Sequence, residues 1–239
     1  MRYPIYSSLG NTFIMVDSSK RSLTPSEKKE LVVREAKRVD GVVFLEIKEG
    51  SFFMDYFNKD GSRAFCGNGA RAFVMFLKDL GYIDNNVVFK TIEGDISGWI
   101  DGKDVIVKMP DPIFLGRRNV HSFEGVFIKV GVPHFLVEHD EVEELEIEKV
   151  APPIRKELNS NVDFYKEIKE GVLRLRTYER GVEGETKACG TGATALAWYY
   201  RKDNKYMMRD TIEVVVNGGK LFVIFKDDGI YLKGGVERW

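Results

Sequence analysis

The chemistry this sequence offers is concentrated in its two cysteines. Cys66 opens Cys66-Gly67-Asn68-Gly69-Ala70, and Cys189 opens Cys189-Gly190-Thr191-Gly192-Ala193. One pattern, C-G-x-G-A, therefore occurs twice and contains every cysteine in the chain. Glycines at its first and third places let backbone N–H groups turn inward and approach a ligand closely. A helix starting there adds unsatisfied N–H groups and roughly half a positive charge. Such a turn binds a carboxylate or a phosphate. It also favours a thiolate, because a helix N-terminus can draw a thiol from about 8.5 down to roughly 3.5–7.5. A shift of one to two units needs only about 1.4–2.7 kcal/mol, so a thiol in this place can titrate near neutral pH.

One such turn alone would be ambiguous. A nucleophilic cysteine needs an activating base, usually histidine, and none is local to either motif. Redox pairs favour Cys-x-x-Cys, and a phosphate loop needs its lysine and hydroxyl; both are absent from the sequence. Two copies related by a pseudo-twofold axis point to something more specific. If the two helix N-termini face one cleft, N–H groups from both can grip one α-carboxylate, with a sulfur on each side of the α-carbon. A thiolate then removes the α-hydrogen from one face and a thiol delivers one to the other. Brønsted matching asks both groups to lie near the operating pH. The N–H donors stabilise the enediolate-like charge, and domain closure excludes water. The expected activity is cofactor-independent inversion of an amino acid.

The elements around the motifs repeat as well. Each follows an alternating stretch that reads as a strand, Ser51 to Asn58 and Val172 to Glu179. Each leads into a helical run that is apolar nearly all round, Ala70 to Leu80 and Ala193 to Tyr200. A helix apolar on every side is buried on every side. Three short strands follow each helix. They are Val87 to Thr91, Gly94 to Ile100 and Val105 to Met109, echoed by Ile212 to Val216, Lys220 to Phe225 and Ile230 to Lys233. Turn pairs such as Asp101-Gly102 and Gly218-Gly219 separate them.

The expected fold is α/β (α+β): two pseudo-symmetric domains, each a bent mixed sheet wrapped round a central buried helix, with the active site in the cleft between them. The first domain is read as residues 1–111, completed by 234–239, and the second as 112–233. Thr24-Pro25-Ser26-Glu27 starts an amphipathic helix running to about Arg38, with Thr24 and Glu27 as a capping box. A matching helix lies near Val150 to Leu158, after a charged stretch, Glu138 to Glu148, that reads as solvated surface.

At 239 residues and 44% apolar content, the chain has material for one large or two modest cores. A net charge near −1 offers no field for nucleic acid or an anionic membrane. Met1 to Val16 lacks a signal layout, and no apolar run approaches a membrane span, so a cytoplasmic protein is expected. Glutamine is absent and lysine and glutamate are abundant, a bias found in heat-adapted proteins. The three histidines, His121, His134 and His139, do not combine with the cysteines at ligand spacing. No metal, pyridoxal phosphate or nucleotide is expected.

Over essentially its whole length the chain resembles the diaminopimelate epimerase family. The likeness rests on Leu9-Gly10-Asn11-Thr12-Phe13, Phe57-Asn58-Lys59-Asp60-Gly61-Ser62 leading to Cys66-Gly67-Asn68-Gly69-Ala70-Arg71, Pro133-His134, and Glu179-Arg180-Gly181 leading to Glu185-Thr186 and the second cysteine motif. Proline racemase-like enzymes share the architecture and similar motifs. The resemblance implies Cys66 and Cys189 as the two bases, and the amides of Gly67, Asn68, Gly190 and Thr191 as the grip on the reacting α-carboxylate. It implies His134 and Glu179 beside the thiols, orienting the substrate amino group. Asn11, Asn58, Asn161 and Arg180 would face the substrate, chiefly its distal amino-acid end. Arginine suits that role as a bidentate carboxylate clamp. Read without the family, Asn58 is a turn residue before Asp60-Gly61, Arg180 a surface charge and His134 a loop residue.

Two positions depart from the family pattern. Val132 stands where asparagine usually precedes Pro-His, and Gly41 where some members carry glutamine. By resemblance both belong to substrate contacts away from the sulfurs. Losing a polar contact relaxes discrimination, so a same-fold racemase of lysine, proline or a broader range stands beside diaminopimelate epimerisation. A thiol redox protein and an anion-binding module are further alternatives. The partner expected is a small amino-acid substrate, with a homodimer implied by the family.

Overall fold

The computed structural model describes residues 3–35, 37–202 and 209–239. The chain forms two compact units. One takes Met1–Lys108 with Gly234–Trp239, and the other takes Met109–Lys233. Residues 109–111, grouped with the first half on sequence grounds, fall in the second unit, where the Met109 N–H donates to the Ile230 carbonyl at 2.8 Å.

The first unit runs β1 (Ile5–Ser8), β2 (Asn11–Asp17), α1 (Pro25–Glu35), β3 (Gly41–Lys48), β4 (Ser51–Asn58), β5 (Arg63–Ala64), α2 (Gly67–Asp79), β6 (Asn86–Thr91), β7 (Gly94–Asp101) and β8 (Asp104–Lys108). The second runs β9 (Ile113–Val120), β10 (Phe123–Val130), β11 (Val132–Glu138), α3 (Ile147–Leu158), β12 (Asn161–Lys169), β13 (Val172–Glu179), β14 (Gly184–Thr186), α4 (Gly190–Lys202), β15 (Thr211–Val216), β16 (Gly219–Lys226) and β17 (Gly229–Gly235). The closing strand β18 (Glu237–Arg238) returns to the first unit and pairs antiparallel with β1.

Connectivity repeats between the units. β1 and β2 form an antiparallel pair, as do β10 and β11. A crossover through α1 or α3 makes the next pairing parallel, β2 with β3 and β11 with β12. An antiparallel hairpin follows, β3–β4 and β12–β13. A second crossover, through α2 or α4, makes β4–β6 and β13–β15 parallel. Two hairpins then close each unit.

Each cysteine helix is the core of its own unit. α2 packs against β1, β2, β3, β4, β7 and β8, and α4 against β10, β11, β13, β15 and β16. Ala70, Ala72, Phe73, Val74 and Leu77 of α2 are buried, and so are Ala193, Ala195, Leu196 and Ala197 of α4. Full burial of a side chain such as Phe73 or Leu77 is worth about 1.5–3 kcal/mol. All-round burial does not hold to the end of α4, where Trp198, Tyr199 and Tyr200 are only half-buried. Their large rings keep a polar end in solvent: the Tyr199 hydroxyl meets Arg117, and that of Tyr200 donates to Glu167.

The two crossover helices start differently. α1 carries the expected capping box: Thr24 N–H donates to Glu27 Oε2 at 2.8 Å, and Glu27 N–H to Thr24 Oγ1 at 3.2 Å. Its described span is Pro25–Glu35, and from Lys37 the chain turns rather than continuing to Arg38, bringing Asp40 N–H onto the Thr12 carbonyl before β3. α3 begins at Ile147, three residues before the expected Val150. It contains Pro152 and Pro153, and its N-cap Glu146 makes no side-chain cap bond. Burial of Ile147, Ala151 and Ile154 holds it in place. No helix among the described residues is long and apolar enough to cross a membrane.

Candidate active site

In the first unit β4 ends at Asn58, and a tight turn carries the chain back to β5. Gly61 has φ 79°, the Gly61 N–H donates to the Asn58 carbonyl at 3.0 Å, and Asn58 Nδ2 donates to Ser62 Oγ at 2.9 Å. Asn58 thus holds this turn through both its carbonyl and its side chain. Cys66 follows as the N-cap of α2, with φ −134° and ψ 112°. Its sulfur accepts the Gly69 N–H at 3.3 Å, the work of a capping oxygen done by a thiol. Asn68, buried in the first turn, donates from Nδ2 to Asn11 Oδ1 at 3.2 Å, while Ser8 Oγ donates to the Asn68 carbonyl at 2.9 Å. Cys66, Gly67, Asn68 and Asn11 are brought together.

One turn into α2 lies Arg71, a motif residue given no role from sequence. It is fully buried, and Nε, Nη1 and Nη2 make no hydrogen bond among the described residues. Burial pushes its pKa down to about 10, while the nearby Cys66 and Asp104 resist that fall. Burying a guanidinium without a hydrogen-bond partner is costly, and the electrostatic pull of Cys66 and Asp104 offsets part of that cost.

The second unit repeats the plan. β13 ends at Glu179, and a turn with Gly181 at φ 86° and Glu183 at φ 56° leads into β14. Cys189 then precedes α4, buried where Cys66 is half-exposed. Burial pushes the Cys189 thiol well above the ordinary range, and the Glu179 and Asp163 carboxylates push it further. The Thr191 hydroxyl, at 3.5 Å from Sγ, and the Gly192 N–H pull the other way. The thiolate-favouring helix N-terminus expected from sequence is therefore outweighed at this sulfur by desolvation.

Around Cys189 the expected residues converge. Thr186 Oγ1 donates to Glu179 Oε1 at 2.5 Å. His134 is fully buried, with Nε2 at 3.0 Å from Thr191 Oγ1 and 3.4 Å from Asn161 Nδ2. Asn161 Oδ1 accepts the Arg180 N–H at 2.8 Å, and Arg180 Nη1 reaches the Asn159 carbonyl at 3.4 Å. His134 is a strand residue of β11 rather than the loop residue its local sequence implied.

Asp163 went unread in the sequence. It is fully buried and lies 2.7 Å from His134 Nδ1. The only signal was a carboxylate in an otherwise apolar, buried stretch, Val162 to Tyr165. An added Cβ on Gly192 would lie 2.6 Å from Asp163 Oδ1. The third-place glycine of this motif is thus required by a close approach. At the corresponding Gly69 the nearest atom would be Met54 Cε, at 3.2 Å, with Cys66 Cβ and Sγ in ordinary contact at 3.4 and 3.5 Å.

The two departures have structural contexts. A Cβ on Gly41 would lie 2.4 Å from Tyr56 Cε2, so the Tyr56 ring fills the space a side chain at 41 would need. Val132 opens β11 half-buried. Among the described residues no cluster of three or more His, Cys, Asp or Glu is arranged to hold a metal ion.

The family model for diaminopimelate epimerase matches residues 3–115 and 126–239. A diaminopimelate epimerase from Thermotoga maritima is 44% identical over 236 residues, covering 98% of both chains. One from Hydrogenobaculum sp. is 34% identical, covering 98% of this chain and 94% of its own. Among solved structures, a hydroxyproline epimerase from Agrobacterium vitis superposes with a TM-score of 0.74 over 99% of this chain and 90% of its own. At 14% identity that likeness is one of fold.

Proposed function

The chain belongs to the diaminopimelate epimerase family, and from that premise we propose that it interconverts LL- and meso-diaminopimelate by a two-base reaction at Cys66 and Cys189. The observation that carries the reading is the duplicated cysteine turn. Each sulfur stands at the start of a buried helix, before a glycine-rich first turn. One sulfur, as thiolate, takes the α-proton. The N–H groups of Gly67, Asn68, Gly190 and Thr191 hold the carboxylate on which charge builds. The other sulfur, as thiol, delivers a proton to the opposite face. The reaction needs both sulfurs at one α-carbon, and the two units are the duplicated halves that would supply them. Glu179 and His134 serve the Cys189 side and the substrate amino group. Asn11, Asn161, Arg180 and Asn58 complete the grip on the substrate's distal end. No redox equivalent is consumed.

The reduced protein, incubated with LL-diaminopimelate in D₂O beside L-lysine and L-proline, is expected to invert diaminopimelate with deuterium uptake at the α-carbon. Cys66→Ala and Cys189→Ala should each abolish inversion; full turnover in either would remove the two-base reading. A second reading, a broader amino-acid racemase on the same chemistry, is favoured by Val132, which offers no polar side-chain atom. Inversion of lysine or proline at a rate matching diaminopimelate would establish it. Exchange with none of the three, by protein carrying two free thiols, would defeat the enzyme reading.

A further inference from the structure

We propose that Asp163 is a positioning residue of the Cys189 half-site, holding His134 in the tautomer that takes and returns the Cys189 proton through the Thr191 hydroxyl. The inference rests on the epimerase reading and deepens it.

Two independent contacts fix the ring. Thr177 Oγ1 donates to Asp163 Oδ1 at 2.7 Å, leaving Oδ2 on His134 Nδ1 at 2.7 Å. A carboxylate accepts, so Nδ1 carries the proton. On the other side, the Arg180 N–H donates to Asn161 Oδ1 at 2.8 Å, which sets the orientation of that amide and turns its Nδ2 toward His134 Nε2 at 3.4 Å. An amide nitrogen only donates, so Nε2 presents its lone pair. The lone pair also faces Thr191 Oγ1 at 3.0 Å, and that oxygen lies 3.5 Å from Cys189 Sγ. The hydroxyl can therefore donate to the ring and accept from the thiol. The charged groups facing Cys189 are Glu179 from β13 and Asp163 from β12, with the His134 ring from β11 between Asp163 and Thr191.

The transfer balances. The Cys189 S–H bond breaks as its proton moves to Thr191 Oγ1, and Thr191's own hydroxyl proton passes to His134 Nε2. The result is a thiolate, a neutral threonine and an imidazolium whose Nδ1–H rests on the Asp163 carboxylate. The reverse returns that same proton to the sulfur. The relay makes the Cys189 thiolate that acts as base and keeps the released proton within the half-site. With only 4% of Cys189 exposed, bulk water is a poor acceptor for that proton. The arrangement follows the logic by which a buried aspartate holds a histidine beside a nucleophile, with a hydroxyl interposed.

The test compares wild type with Asp163→Asn, Thr191→Val and Thr191→Ser. It reads kcat and KM for diaminopimelate together with the ¹⁵N spectrum of the three histidines. Wild-type His134 should be protonated on Nδ1. Asp163→Asn should move the proton to Nε2 and lower kcat by about 10²-fold, with KM changed by less than about threefold. Thr191→Ser should keep kcat within about threefold, and Thr191→Val should lose about 10²-fold. A wild-type ring protonated on Nε2, or an unchanged kcat in folded Asp163→Asn, overturns the proposal. If Asp163→Asn fails to fold, equal kcat in the serine and valine variants overturns it. An inactive wild type would overturn the epimerase reading and this proposal with it. An active wild type with indifferent variants overturns this proposal alone.

Discussion

Phe13 and His134 occupy matching places. Each lies opposite the first residue of a parallel partner strand, Gly41 in β3 for one and Asn161 in β12 for the other. On the next hairpin Val43 faces Tyr56 where Asp163 faces Thr177. The first unit fills these places with an edge-to-face aromatic pair, Phe13 and Tyr56, at 6.0 Å. The second fills them with carboxylate, imidazole, amide and hydroxyl. Five residues beyond each cysteine the contrast reverses. Arg71 is a buried cation, and Thr194 only returns its hydroxyl to the Gly190 carbonyl at 2.9 Å. Duplication kept the backbone and the glycine turn and let the surroundings of each sulfur diverge. Cys66 is half-exposed, whereas Cys189 is buried among these polar neighbours.

The largest expected break in this comparison comes from the third-place glycines. Gly192→Ala sets a Cβ against the buried Asp163 carboxylate and should lower kcat by about 10²-fold, the scale of a misplacement near 1 Å. Gly69→Ala meets the flexible end of Met54 and should cost less than about 1.5 kcal/mol of stability. Steady-state kinetics and thermal melts on both variants decide it, and equal losses would mean that the two turns are not differently constrained.

A smaller effect sharpens the contrast in protonation. Folding raises the Cys189 pKa, so the neutral thiol persists above the ordinary value of about 8.5. The sign follows: the folded chain holds a proton that the unfolded chain releases, and this thiol's contribution to stability falls as pH rises above about 8.5. In Cys66→Ser, alkylation of Cys189 by a small reagent should therefore have its midpoint above that of the denatured protein. A midpoint at or below that value would remove the desolvation argument. The smallest effect concerns the crossover helices. Thr24→Ala breaks the capping box of α1 and should cost about 1 kcal/mol. Glu146→Ala, at the uncapped start of α3, should change stability by less than about 0.5 kcal/mol in a denaturant titration.

The sequence made the repeated part of this molecule legible. The doubled C-G-x-G-A turn, the apolar helices behind it and the glycine-marked hairpins were all readable as local patterns. What it could not convey was register. Asp163 lies 29 residues from His134 along the chain, and only the parallel pairing of β11 with β12 brings them together. Gly41 read as a lost amide because nothing local to it names Tyr56, fifteen residues on, as the group that fills its space. The upward push on Cys189 was hidden for a similar reason. A helix N-terminus is visible in sequence, whereas burial among carboxylates from two other strands is not.

The edge of the first unit is made from both ends of the described chain, with Tyr6 opposite Arg238 and Ser7 opposite Glu237. The second unit is one continuous run, 109–233. On a ribosome, where domains usually fold in the order they emerge, the earlier-made unit here must wait for its last strand. The later-made unit has its whole sequence in hand before that strand is synthesised. Birth order and completion order are therefore opposite in this chain, and residues 109–233 are the part that can finish first.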